Sequence, residues 1–267
     1  MNRTLVVSLL SLTLASGAAM AADLPAPVYK APPPAPPAPN WTGCYVNGGV
    51  GYGLSNIDHT LESFPGLVAE NATGTDGGRG WLGTVGGGCD YQFSVPSLGN
   101  FVVGALGDFN FTNIHGQVED SVTVLQGDAN QSSSWAAGAR LGYLVTPNFL
   151  TYFDGGFAQA RFDQVNMSNF GIGAPLVFLP AHTYNGWFLG GGYEYALNFS
   201  WFPIQGLYWR TEYRFAQYQS ADLDRLVVGT GAATGTADHF APFVQTITSS
   251  IVWRFNWGGG GPVMANY

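Results

Sequence analysis

The chain has 267 residues and a formal charge of −8, with 38 glycines, 15% aromatic residues and only 10% charged residues, where ordinary domains carry about 25% charged. So many rings exclude a disordered chain, and an acidic balance without a basic patch excludes nucleic acid as a partner. Beyond the N-terminal stretch every apolar run is broken by Gly, Asp, Arg or Glu, which excludes a helical membrane protein.

Arg3, the apolar run LVVSLLSLTL and the small-x-small Ala19-Met20-Ala21 predict a cleaved signal peptide over residues 1–21, because ten apolar residues are too few to cross a bilayer. The proline-rich ADLPAPVYKAPPPAPPAPN (22–40) predicts an extended periplasmic spacer without a core. One domain follows over 41–257, then a Gly-rich tail, 258–267. Period-two alternation marks eight strands: 43–57, 80–93, 100–112, 133–145, 149–161, 184–197, 207–218 and 242–255. Three connections are short and carry Pro or Gly turn chemistry (94–99, 146–148, 198–206). The other four, 58–79, 113–132, 162–183 and 219–241, are long. Short turns on one rim and long loops on the other predict an all-β, eight-stranded antiparallel transmembrane β-barrel.

Parity separates two faces. One carries Trp81 with Tyr91, Trp135 with Tyr143 and Trp187 with Tyr195. These pairs are spaced to form two aromatic girdles roughly 20–25 Å apart. The other carries glycine together with Asp90, Asp108, Arg140, Asp154, Glu194, Arg210, Glu212, Arg214 and Arg254, five acids and four bases. A soluble ligand-binding barrel would turn the apolar face inward. Glycine decides against it, since a solvated face has no need of glycine and the crowded lumen of an eight-stranded barrel does. In GWFLGGGYEYAL, Gly190 and Gly192 then face the lumen and Gly191 the lipid. A phosphate loop does not fit, because the chain continues as strand where a helix should start.

ADLP, YKAPPP, WTGCYVNGGVGYG, RLGYLV, YFDGGFA, GGGYEYAL, TEYRF and WRF, in this order, resemble the opacity-like surface antigen family of small alphaproteobacterial outer-membrane proteins (the Omp25/Omp31 type). The resemblance implies an exported protein of the Gram-negative outer membrane with roles in envelope integrity and surface or host contact. It implies haemin binding in some relatives and no catalysis. Two departures stand out: NWGGGGPVMANY follows Phe255, the aromatic read by the barrel assembly machinery, and Cys44 and Cys89 occupy positions where the family generally lacks cysteine.

The near balance of inward charges points to a lumen plugged by ion pairs, with a small-solute pore as the competing reading. The four histidines, His59, His115, His182 and His239, stand singly in separate long connections. That disfavours a Ser-His-acid enzyme and leaves a metal or haemin site as a weaker alternative to chance placement. No catalytic, metal or cofactor-binding set is therefore expected. Cys44 and Cys89 fall on neighbouring antiparallel strands near the periplasmic rim, where a disulfide and two free buried thiols both fit. Eleven of the seventeen acidic residues lie in the long connections, as expected for solubility and divalent-ion contact with lipopolysaccharide. The apolar run 176–179 either packs into the loop crown or touches a partner.

Overall fold

The computed structural model describes residues 40–63, 68–119, 124–197 and 206–255, without the side chains of 62–63 and 68–73. The expected signal peptide, nearly all of the spacer, most of the turn 198–206 and the C-terminal tail lie outside the described residues. Among the described residues no helix is long and apolar enough to cross a membrane.

Among the described residues eleven antiparallel strands form the wall: β1 (Gly43–Ser63), β2 (Val68–Val95), β3 (Gly99–Glu119), β4 (Leu125–Thr146), β5 (Phe149–Phe162), β6 (Val165–Asn169), β7 (Val177–Leu179), β8 (His182–Ala196), β9 (Leu207–Tyr218), β10 (Ala221–Val227) and β11 (Ala233–Phe255). The ring β1-β2-β3-β4-β5-β8-β9-β11 closes by pairing β11 with β1, from Cys44↔Phe255 to Ser63↔Thr236. At membrane level this closure leaves no free sheet edge, which lipid demands of a spanning sheet.

The outer segments differ from the sequence expectation. They are not mainly loops: β1, β2, β3, β4 and β11 continue through most of them. Short β6, β7 and β10 extend β5, β8 and β9, so the outer level is again a ring, with β4–β6, β6–β7, β7–β10 and β10–β11 pairings. A strand of 21 residues is about 70 Å long and rises on the order of 50 Å at the usual barrel tilt, about twice the apolar band it must cross. The surplus stands outside the membrane.

The turn between β2 and β3 follows its sequence chemistry. Val95-Pro96-Ser97-Leu98 closes with Leu98 N–H donating to the Val95 carbonyl at 3.1 Å, and Ser97 has a φ of 66°. This is a type II turn with Pro at its second position and Ser where Gly is usual.

Candidate functional site: a charged lumen sealed at both ends

At membrane level the wall is inside out. Trp81, Tyr91, Trp135, Tyr143, Trp187 and Tyr195 all lie exposed on the outer face, among Val50, Leu141, Phe153 and Ile251. Turned inward, Asp90, Arg140, Asp154, Glu194, Arg210, Glu212 and Arg254 are buried, and Asp108 and Arg214 nearly so. All nine inward charges belong to two clusters.

In the lower cluster Glu194, wholly buried, accepts from three guanidiniums: Arg140 Nη1 at 2.6 Å, Arg210 Nε at 2.8 Å and Arg254 Nη2 at 2.6 Å. Asp90 takes the fork of Arg140, through Nε at 2.8 Å and through Nη2, and Arg254 Nη1 at 2.6 Å. In the upper cluster one cation serves three acids. Arg214 reaches Asp108 at 2.8 Å, Glu212 at 2.7 Å and Asp154 at 3.4 Å. One cluster has a surplus of cation and the other of anion, so the layers attract. Tyr152 links them: its hydroxyl donates to Glu212 at 2.8 Å while its ring lies 5.1 Å from Arg140.

Rings also support the arginines. Tyr45 lies 4.7 Å from both Arg140 and Arg210 and 4.9 Å from Arg254, and Phe188 lies 4.2 Å from Arg214. These cation–π contacts stabilise guanidinium held away from bulk water. Glycine makes the room. A Cβ on Gly190 would strike Asp154 and the Tyr213 carbonyl, and one on Gly104 would strike Asp90. The middle member of the glycine run, Gly191, faces outward beneath the ring of its cross-strand partner Phe153. An aromatic thus covers backbone that would otherwise be bare to lipid.

Apolar layers bracket the charges. Below, Trp41, Val102, Leu150, Tyr208 and Val252 are buried together. Trp41 precedes β1 and folds into the barrel mouth: its indole N–H donates to the Pro147 carbonyl at 3.0 Å, its backbone N–H to Gln92 at 3.1 Å, and its ring lies 4.7 Å from Tyr208. Above, Ile57, Ile114, Phe162, Leu179, Phe240 and Val244 fill the outer half. Between the layers, beside Asn47, Thr84, Asn110, Thr248 and Ser250, a cavity of about 30 Å³ remains, enough for about two waters.

Cys44 and Cys89 face each other directly in the β1–β2 register, 3.9 Å apart at Cα, and are joined as a disulfide. The histidines are not gathered into one site. His59 is buried inside the outer ring, with Nε2 3.1 Å from the Glu119 carbonyl and Nδ1 3.2 Å from Asp76. Burial raises the pKa of that Asp76 carboxyl, while the Glu119 N–H and His59 oppose the shift. His115 points outward, His182 rests edge-on against Tyr184 at 4.6 Å, and His239 pairs with Asp222 at 2.5 Å. Among the described residues no group of three His, Cys, Asp or Glu side chains could hold a metal. Of the run 176–179, Leu179 is fully buried and Leu176 is exposed.

Sequence reasoning missed three features. Asp238 sits in the outer core, paired through both oxygens with Arg225 at 2.6 and 2.7 Å, although its segment reads as a loop. Trp41 reads as the start of the domain, without a role as a plug. Tyr45 stands on the inner face among the arginines, where its parity with Gly49, Gly51 and Gly53 along β1 was the available signal.

The outer membrane protein beta-barrel domain family matches residues 7–255. The 31 kDa outer-membrane immunogenic proteins of Brucella melitensis biotype 1 and Brucella suis biovar 1 are each 32% identical over 195 residues, covering 68% of this chain and 76% of theirs. Among solved structures, the outer membrane protein OprG from Pseudomonas aeruginosa aligns over 80% of this chain and 97% of its own at 12% identity, with a TM-score of 0.48.

Proposed function

The chain belongs to the outer membrane protein β-barrel family, and on that premise we propose that it is a non-conducting surface protein of the Gram-negative outer membrane. Its role is to strengthen the envelope and to present a rigid outer half to lipopolysaccharide and to host or envelope ligands. The observation that carries this reading is the blocked lumen, with ion pairs between two apolar seals and room left for only about two waters. A solute path would need desolvated arginines and carboxylates to part, and each unpaired buried charge costs several kcal/mol. The proposed role involves no catalysis; the work lies on the outside of the barrel. The closing strand ends in Trp253-Arg254-Phe255, and we assign this end to the barrel assembly machinery.

Planar-bilayer recording of the pure folded protein tests the reading. The expected record shows no unitary steps above the bare membrane. Reproducible openings of one size would replace the structural role with that of a small-solute pore.

A further inference from the structure

The outer ring has a break in its wall. The β8–β9 ladder ends at Gly186↔Tyr218, followed by one further bond from Gln219 N–H to the Asn185 carbonyl at 2.8 Å. Pairing resumes only at Leu226↔Phe178, between β7 and β10. The register is the same on both sides of the interval, so residues 180–184 face 220–224 without ladder pairs. Pro180 lacks an N–H, so one lip could not donate a bond at that position. On their other sides both lips are held, His182–Tyr184 by β5 and Ala221–Asp224 by β11.

Directly behind the break lies an apolar cavity of about 20 Å³. Tyr184, His182 and Pro180 line it from one lip, Leu223 from the other, and Phe240 and Phe162 from the back. Tyr184 is three residues beyond the girdle residue Trp187, which places the opening roughly 8 Å outside the apolar band, at headgroup height. The outer side of the opening is acidic. Asp222 and Asp224 project outward from the β10 lip, Asp222 being 59% exposed beside His239. Asp163 stands at the cavity on β5's extension, 3.9 Å from the exposed Arg161. The β8 lip presents the uncharged Ala181, Thr183 and Asn185 outward.

We propose that this break is a lateral binding site for the alkyl end of a cationic amphiphile: the chain enters between the lips and its charged head stays at Asp222 and Asp224. The cavity as it stands admits about a methyl group, so only an unbranched chain end fits first. Widening the gap separates lips that share no ladder bond, so it sacrifices no strand pairing. An anionic head would meet two carboxylates of its own sign, which sets the selectivity. The site goes beyond the sealed-lumen reading: it shares Phe162 and Phe240 with the upper apolar layer, but it opens through the wall, and its test reads labelling of the wall where the other reads conductance.

The test uses the full chain in lipid nanodiscs and three photoreactive probes with the same diazirine-tipped chain: an alkyltrimethylammonium, an alkylcarboxylate and an alkyl glucoside. Cross-links are mapped by mass spectrometry. The cationic probe should label residues 179–184 and 221–226 severalfold more than the anionic probe. Leu223→Trp, which fills the cavity, should abolish that labelling while leaving the background on the lipid-facing strands. Asp222→Asn with Asp224→Asn should keep labelling by the glucoside but erase the preference for the cation. Gel mobility before and after boiling checks that both variants are folded. Labelling confined to the lipid-facing strands, equal labelling by the anionic probe, or unchanged labelling in Leu223→Trp would overturn the proposal.

Discussion

The membrane-level and outer halves of the barrel are made of the same strands with opposite polarity. Along β1, Val46, Val50 and Leu54 face outward at membrane level while Asn47 and three glycines face in. Beyond them Asn56, Asp58 and Thr60 face outward, and Ile57 and Leu61 are buried. β3 changes in the same way, from Val103, Phe109 and Phe111 outside to Asn113, His115 and Gln117, while Asp108 inside gives way to Ile114 and Val118. Side-chain direction never changes; the solvent does. In lipid the wall must be apolar outside and the core can hold only charges that satisfy one another, whereas in water the ordinary hydrophobic core returns.

The contrast can be broken from either half. The largest effect is expected for Glu194→Ala, which leaves three guanidiniums competing for Asp90 and should cost about 3–5 kcal/mol, read as a lower urea midpoint for loss of the compact gel form. Ile114→Ala removes packing from the outer core and should cost about 2–5 kcal/mol. Its loss should appear as faster amide exchange in the outer ends of the strands before the membrane section opens. A matched pair of outward substitutions sharpens the comparison. Val50→Arg should cost about 2–4 kcal/mol in lipid while Asp58→Arg, eight residues further along the same face, changes stability by little; equal costs would erase the boundary between the halves.

Smaller effects come from single local groups. Ser97→Gly relieves a positive φ and should stabilise the folded state by roughly 0.5–1 kcal/mol in the same urea titration. Asp76 gives a pH signature confined to the outer half. Its folded pKa is raised above the ordinary carboxylate value, so the stability it contributes is present below the unfolded pKa and is lost as pH rises through the folded one. Asp76→Asn should flatten that decline in amide exchange around residues 76 and 119, the least of these effects.

What could be read from the sequence follows from the same polarity rule. Period two, turn chemistry and the sharing of one face by glycine and charge are local properties, and they outline the membrane-level wall. The outer strand extensions were hidden because the apolar residues change face beyond Leu54 and Phe111, which interrupts the period-two pattern where the solvent changes. Asp238 and His59 read as loop residues for the same reason, though both are buried. Partner choice was also illegible: Arg140 meets Asp90 and Glu194 from strands about fifty residues away on either side, and no local pattern encodes which charges meet across a lumen. Trp41 lies before the first strand, where alternation says nothing about a ring folding into the barrel mouth.

The most direct test is a nitroxide scan along residues 46–60 of the first strand in proteoliposomes, with collision rates measured for oxygen and for a water-soluble nickel chelate. The even-numbered sites should favour oxygen through residue 54 and the nickel chelate from residue 56 onward, with the odd-numbered sites shielded from both throughout. Even-numbered sites open to nickel below residue 54, or odd-numbered sites open to either reagent, would contradict the reversal of polarity.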